Sequence, residues 1–220
     1  METGALLTSY RQITRYAITR LVTVRIIALA TLLTVASLWA SASQTPSDLG
    51  WIAIFSYLLI CQFRLWDDLA DREFDRLHHP GRILVTSSDT RPFFVALIAL
   101  FLANATWISI WQPLPRLTIY VLLVASLGIL YQRKAWIGQW RLLRMQVVLM
   151  KYPIFLFLCT KDEMPNRLFI AGLAIYLLLS SFDLLSDETL DTTSARRWLI
   201  AIECAALVIT LVTYTWPIHA

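Results

Sequence analysis

Residues 49–75 read LGWIAIFSYLLICQFRLWDDLADREFD. Leu49 to Phe63 carries no charge at all, whereas five of the nine residues from Asp67 to Asp75 are carboxylates. A run that is apolar on every face belongs to a helix surrounded by lipid or core. A barrel strand would instead alternate apolar and polar over about ten residues. The acidic tail then marks the place where the helix leaves apolar surroundings.

Working outward from this run (49–66), six more of the same kind cover 21–41, 93–111, 116–131, 143–159, 167–185 and 198–217. Each approaches the ~20 residues that a spanning helix needs. Composition agrees, since 58% of the 220 residues are hydrophobic and 15% are charged, with a mean hydropathy of +0.62. Soluble domains are about 45–50% apolar and about 25% charged, and disorder needs the opposite bias. The expected fold is therefore all-α and integral to the membrane. Seven transmembrane helices would form one domain over residues 1–220, behind a short cytoplasmic segment (1–20). The first run is too long for a cleavable signal peptide and lacks a clear small-residue cleavage site.

The basic residues orient the bundle. With the N-terminus in the cytoplasm, Arg11, Arg15, Arg20, Arg25, Arg64, Arg72, Arg76, Arg82 and Arg91 lie inside or at the inner interface. Arg133, Lys134, Arg141, Arg144, Lys151, Arg196 and Arg197 join them. Of the 19 basic residues only Arg116, Lys161 and Arg167 then fall outside. This is the positive-inside pattern. It accounts for the net charge of +4 and leaves a nucleic-acid partner without a motif. Cys61, Cys159 and Cys204 lie singly in apolar stretches, with no spacing for a disulfide framework or a thiolate metal site.

Two segments, 64–92 and 183–197, break the apolar pattern. One contains Asp67-Asp68-x-x-Asp71-x-Glu73-x-Asp75, the other Asp183-x-x-x-Asp187-Glu188-x-x-Asp191. These two motifs together hold nine of the fifteen acidic residues. Each follows two spans and faces the cytoplasm in this topology. Residues three and four apart share a helix face. Asp68, Asp71 and Asp75 thus stack on an extension of the second span, and Asp183, Asp187 and Asp191 form a similar stripe below the sixth. Stacked carboxylates repel one another, the more so near a low-dielectric bilayer. Hard divalent cations relieve that repulsion, and Mg²⁺ typically takes one or two carboxylates plus substrate phosphates. The plainer reading is a solvated acidic loop balanced by Arg72, Arg76 and Arg82.

These motifs resemble those of the UbiA-type intramembrane prenyltransferase superfamily, over nearly the whole chain. That family carries Asn-Asp-x-x-Asp-x-x-x-Asp after its second helix, where this chain has Asp67 in the Asn position followed by Asp68, Asp71 and Asp75. A His-Pro-x-Arg stretch often follows, and His79-Pro80-Gly81-Arg82 stands there. The second Asp-rich motif after the sixth helix is similar to Asp183, Asp187 and Asp191, with a first gap one residue longer. A Tyr followed by a Lys/Arg pair between the fourth and fifth helices is similar to Tyr131-Gln132-Arg133-Lys134. The family typically has nine spans. A partner chain supplying the last two helices is one expectation that follows.

The resemblance implies a UbiA-like bundle with two Asp-rich catalytic segments and Mg²⁺ as cofactor. The metal ligands would be Asp67, Asp68, Asp71, Asp75, Asp183, Asp187 and Asp191. Asp68, Asp71, Asp187 and Lys151 would be catalytic. Arg82, Tyr131, Arg133, Lys134 and Tyr152 would bind substrate. Anchoring at the inner interface is the competing reading for Arg82, Arg133, Lys134 and Lys151. Packing competes for Tyr131, Tyr152, Trp66 and Phe155, and a structural loop role for His78 and His79. The implied substrate is an allylic prenyl diphosphate, whose prenyl group passes to a lipophilic, aromatic acceptor within the bilayer of a bacterial inner membrane. Two alternatives stand beside it, a terpene cyclase acting on the diphosphate alone and a prenyl-lipid-binding protein without catalysis. A receptor or carrier has only the span count in its favour.

Overall fold

The apolar runs fold as helices, and the helices break where the sequence forces them to. A computed structural model describes residues 10–42, 45–132, 141–186 and 194–215. Among these the chain is all-helical, without a strand. The elements are α1 (Tyr10–Leu21), ending in a π-helical turn over Ala17–Leu21, α2 (Val24–Ala40), α3 (Pro46–Ala70), α4 (Arg72–His78), α5 (Ile83–Thr86), α6 (Arg91–Trp111), α7 (Leu114–Gln132), α8 (Arg141–Leu149), α9 (Lys151–Cys159), α10 (Pro165–Ser186) and α11 (Ser194–Thr215).

Five helical segments are long and apolar enough to cross a membrane: Pro46–Ala70, Arg91–Trp111, Leu114–Gln132, Leu142–Cys159 and Pro165–Ser186. A sixth results if α1 and α2, bent by 62° at a short break, count as one span. The seventh expected run, 198–217, lies largely in α11, which is helical but not among these. Its first turns carry Arg196 and Arg197, and Glu203 follows. The burial pattern fits lipid surroundings. α6 is highly apolar, yet it leaves Phe94, Val95, Ile98 and Leu102 at least half exposed (50%, 65%, 58% and 56%).

The breaks have local causes. The Thr23 side chain accepts from the Ile26 N–H at 3.4 Å, starting α2 afresh after the bend. α3 begins with Pro46 in its first turn, where the missing N–H costs nothing. There the Thr45 N–H donates to Asp48 Oδ2 at 2.7 Å, the reciprocal half of a capping box. Asp48→Ala is expected to remove about 1 kcal/mol of stability, read from equilibrium unfolding in mixed detergent micelles, with Asp48→Asn losing less. The run 142–159 divides between α8 and α9 because Pro153 has no N–H and its ring crowds the Leu149 carbonyl four residues back. The Met150 N–H is accordingly shared between Gln146 O and Val147 O, both at 3.3 Å.

Two units divide the chain, one of residues 1–35 and 45–121, the other of 36–44 and 122–220. In the first, α3 packs along α6. Trp51 lies 5.0 Å from Trp107 and 5.1 Å from Trp111, and Phe55 stacks on Trp107 at 6.1 Å. Further along, Gln62 Oε1 accepts from Asn104 Nδ2 and from the Tyr120 hydroxyl, both at 2.6 Å and buried. At the far end Tyr16, Leu65, Leu84 and Phe93 form a core cluster. In the second unit α10 packs against α9 and α11, around buried Phe155, Leu156, Leu158 and Leu184. The end of α2 is tied to the turn before α10 by Ala42 N–H to Asp162 O (2.8 Å) and Met164 N–H to Ala40 O (2.9 Å).

Candidate functional site

The first acidic motif lies where α3 ends. Asp68 is the last buried residue of α3, 4% exposed. Its Oδ2 accepts from the Tyr16 hydroxyl at 2.9 Å and from Arg20 Nε at 3.1 Å. Oδ1 meets Arg20 and Arg64 guanidinium nitrogens, each at 3.1 Å. The Arg20 contact is bidentate, the strong and directional form of this pairing. Helical spacing supplies the donors, because Tyr16 and Arg20 are four apart on α1 and Arg64 is four before Asp68 on α3.

Asp71 joins α3 to α4, and its N–H bonds the Asp67 carbonyl at 2.9 Å. Asp75, on α4, is buried and ion-paired with Arg82. The connection after α4 folds back because Arg72 donates to Leu84 O (2.9 Å) and Ser87 O (3.1 Å). The Ser87 hydroxyl in turn donates to Gln12 Oε1 on α1 at 2.9 Å. These ties close a cleft of about 240 Å³ lined by Arg15, Tyr16, Thr19, Arg20, Asp68, Asp75, Gly81, Arg82, Ile83 and Leu84. Three guanidinium groups line it against two carboxylates. Arg15 is exposed and has no ion-pair partner among the described residues. The cleft is therefore net positive and suits an anionic group.

The expected residues separate as follows. Asp68, Asp75 and Arg82 come together in the cleft. Asp67 and Asp71 are half-buried and not among its lining residues. Of the expected Asp68-Asp71-Asp75 stack, Asp68 and Asp75 line the cleft and Asp71, the residue that joins α3 to α4, does not. In the second unit, Asp183 is half-buried near the end of α10 and Tyr131 near the end of α7. Lys151 is buried at the α8–α9 break, with its Nζ 5.5 Å from the Tyr152 ring centroid. Tyr152 meets Phe155 edge-on at 5.6 Å. His78 stacks on Phe74 at 4.0 Å, a local contact within α4. Arg133, Lys134, Asp187 and Asp191 lie outside the described residues.

Both Asp68 oxygens are held by guanidinium and phenol donors, so in this arrangement Asp68 does not fit a Mg²⁺ ion, while Asp75 gives Oδ2 to Arg82. Among the described residues no three His, Cys, Asp or Glu side chains converge as metal ligands. Tyr16, Arg20 and Arg64 were not singled out by the acidic motif. The Tyr16–Arg20 spacing, set against an acidic motif preceded by Arg64 at the same interval, is the signal that carries them. Comparison with family models, with curated proteins and with solved structures found no match. A functional reading thus rests on the site and not on kinship.

Proposed function

We propose that this chain is a multi-pass membrane enzyme that takes an allylic prenyl diphosphate and passes the prenyl group to a lipophilic acceptor. The N-terminus faces the cytoplasm of a bacterial inner membrane, and the seven-span UbiA-like bundle belongs to the same proposal. The observation that carries it is the net-positive cleft at the polar end of long apolar helices. Such a cleft suits an amphiphile with an anionic head and an apolar tail. Arg15, Arg20 and Arg82 would hold diphosphate oxygens, with guanidinium the better geometric match to phosphate than ammonium. As charge builds on the departing diphosphate, preplaced cations stabilise it.

A non-catalytic prenyl-lipid binder is the second reading. The tying of Asp68 and Asp75 to arginines favours it, since the carboxylates then serve architecture rather than chemistry.

One experiment separates them. Purified protein in nanodiscs is given labelled geranyl, farnesyl and geranylgeranyl diphosphates, with Mg²⁺ or EDTA, with and without membrane lipid extract as acceptor source. Diphosphate release that needs acceptor supports transfer, and release without acceptor supports cyclisation. Binding without release supports the second reading. Neither binding nor release would end all three. The EDTA arm reads the Mg²⁺ requirement that the family resemblance implies. Arg15→Gln, at an exposed position without an ion-pair partner among the described residues, is expected to weaken diphosphate binding about tenfold, the size of one charge-assisted hydrogen bond.

A further inference from the structure

The second unit holds a buried carboxylate that the proposed reaction does not use. Glu203 lies on α11, 5% exposed, nine residues beyond the helix start at Ser194, or about 14 Å along its axis. Its Oε1 accepts from the Ser180 hydroxyl at 2.7 Å and from Gln146 Nε2 at 3.2 Å. Its Oε2 lies 3.4 Å from the Ser181 hydroxyl. Gln146 Nε2 also reaches Ser180 Oγ at 2.6 Å, and the Tyr176 hydroxyl donates to Gln146 Oε1. Three helices, α8, α10 and α11, thus converge on one carboxylate.

No ion pair among the described residues includes Glu203. The cluster therefore carries one formal negative charge and only oxygen and amide partners. An ionisable group within an apolar bundle is costly to keep and marks ion or proton handling by default. Carboxylate, hydroxyl and amide oxygens are hard ligands suited to hard cations. A divalent ion would leave the apolar interior with excess positive charge, whereas a monovalent one balances it.

We propose that the Glu203 carboxylate and the Ser180 and Ser181 hydroxyls form a binding site for Na⁺, with the Gln146 amide holding the carboxylate in place. Tyr176 faces the same cluster from α10. Asp183 lies about a turn beyond Ser180 on that helix, and Arg144 and Lys151 lie on the flanking α8 and α9. The proposal is independent of the prenyl diphosphate reading.

Dicyclohexylcarbodiimide supplies the test. A protonated carboxyl adds across its C=N bond to give an O-acylisourea, which rearranges to a stable N-acylurea with no leaving group. The full-length protein in detergent is labelled over a pH series, in NaCl or in choline chloride at equal ionic strength, and the modified peptide is identified by mass. Labelling at Glu203 that Na⁺ slows several-fold identifies Na⁺ as the occupant. Labelling at Glu203 that ignores Na⁺ would overturn the proposal. Ser180→Ala should weaken the protection by Na⁺, and Glu203→Gln should abolish labelling at that peptide. Where Glu203→Gln fails to insert, Ser180→Ala and the wild type suffice. An unlabelled Glu203 throughout the series, with thermal stability indifferent to Na⁺, would overturn the proposal.

Discussion

Asp68→Ala is expected to cost about 3 kcal/mol of stability, the low end of what breaking a buried pair costs. The carboxylate is nearly fully buried, but the side chains of Arg20 and Arg64 are 27% and 37% exposed. They regain water when the partner leaves, which holds the loss below the upper limit. The Tyr16 hydroxyl has no such outlet, being buried with Asp68 as its acceptor. Asp68→Asn keeps the shape and one acceptor oxygen and should lose less. A double-mutant cycle with Arg20→Ala, measured by reversible unfolding in mixed micelles, should show coupling above about 1 kcal/mol. Coupling near zero would mean that the bidentate contact carries no energy. Any turnover assay on an Asp68 variant has to be normalised to folded protein, because lost activity would otherwise report lost structure.

Gln62→Leu is the second large effect, about 2 kcal/mol. The substitution removes the acceptor shared by Asn104 Nδ2 and the Tyr120 hydroxyl, both in the interior. Two donors in apolar surroundings would each cost about 1–3 kcal/mol if wholly unpaired. Tyr120 retains the Phe101 carbonyl at 3.3 Å. Interhelical hydrogen bonds in membranes also measure well below their ideal worth, about 0.6 kcal/mol on average. The triple change of Gln62→Leu, Asn104→Leu and Tyr120→Phe should recover much of the loss, since no donor is then stranded. A triple variant as unstable as the single one would show that the amide serves packing alone.

The helices were legible because lipid-facing runs need no partner to be apolar. The runs at 49–66, 93–111, 116–131, 143–159 and 167–185 each fall within or next to the described helices α3, α6, α7, α8–α9 and α10. The 62° bend after Leu21 was not legible, because Val22 and Thr23 carry no Pro or Gly to announce it. The division of 142–159 was legible in principle from Pro153, as was the cap at Thr45 and Asp48. Both signals are short and local, and hydropathy drowns them.

The site was legible by half. The acidic motif was found at the helix end, and Arg82 was found beside it. Its partners Tyr16 and Arg20 come from 52 and 48 residues away, a pairing that tertiary packing alone decides. A row of aspartates states that charge must be compensated and leaves open whether metal or guanidinium does so. The Glu203 cluster was invisible for a similar reason. Gln146, Ser180 and Glu203 are unremarkable singly, and they become a group only where three helices meet.

The join at Asp71 also sets a length. α3 has 25 residues, which at 1.5 Å per residue is about 37 Å, whereas a hydrocarbon core is about 30 Å thick. A bilayer crossed by this helix would leave about 7 Å of it to tilt or to stand among the headgroups. With the capped Pro46 end at the opposite surface, Asp67 and Asp68 fall in that overhang. The ion pairs of Asp68 would then be made at headgroup level, within reach of lipid phosphates, and not among acyl chains.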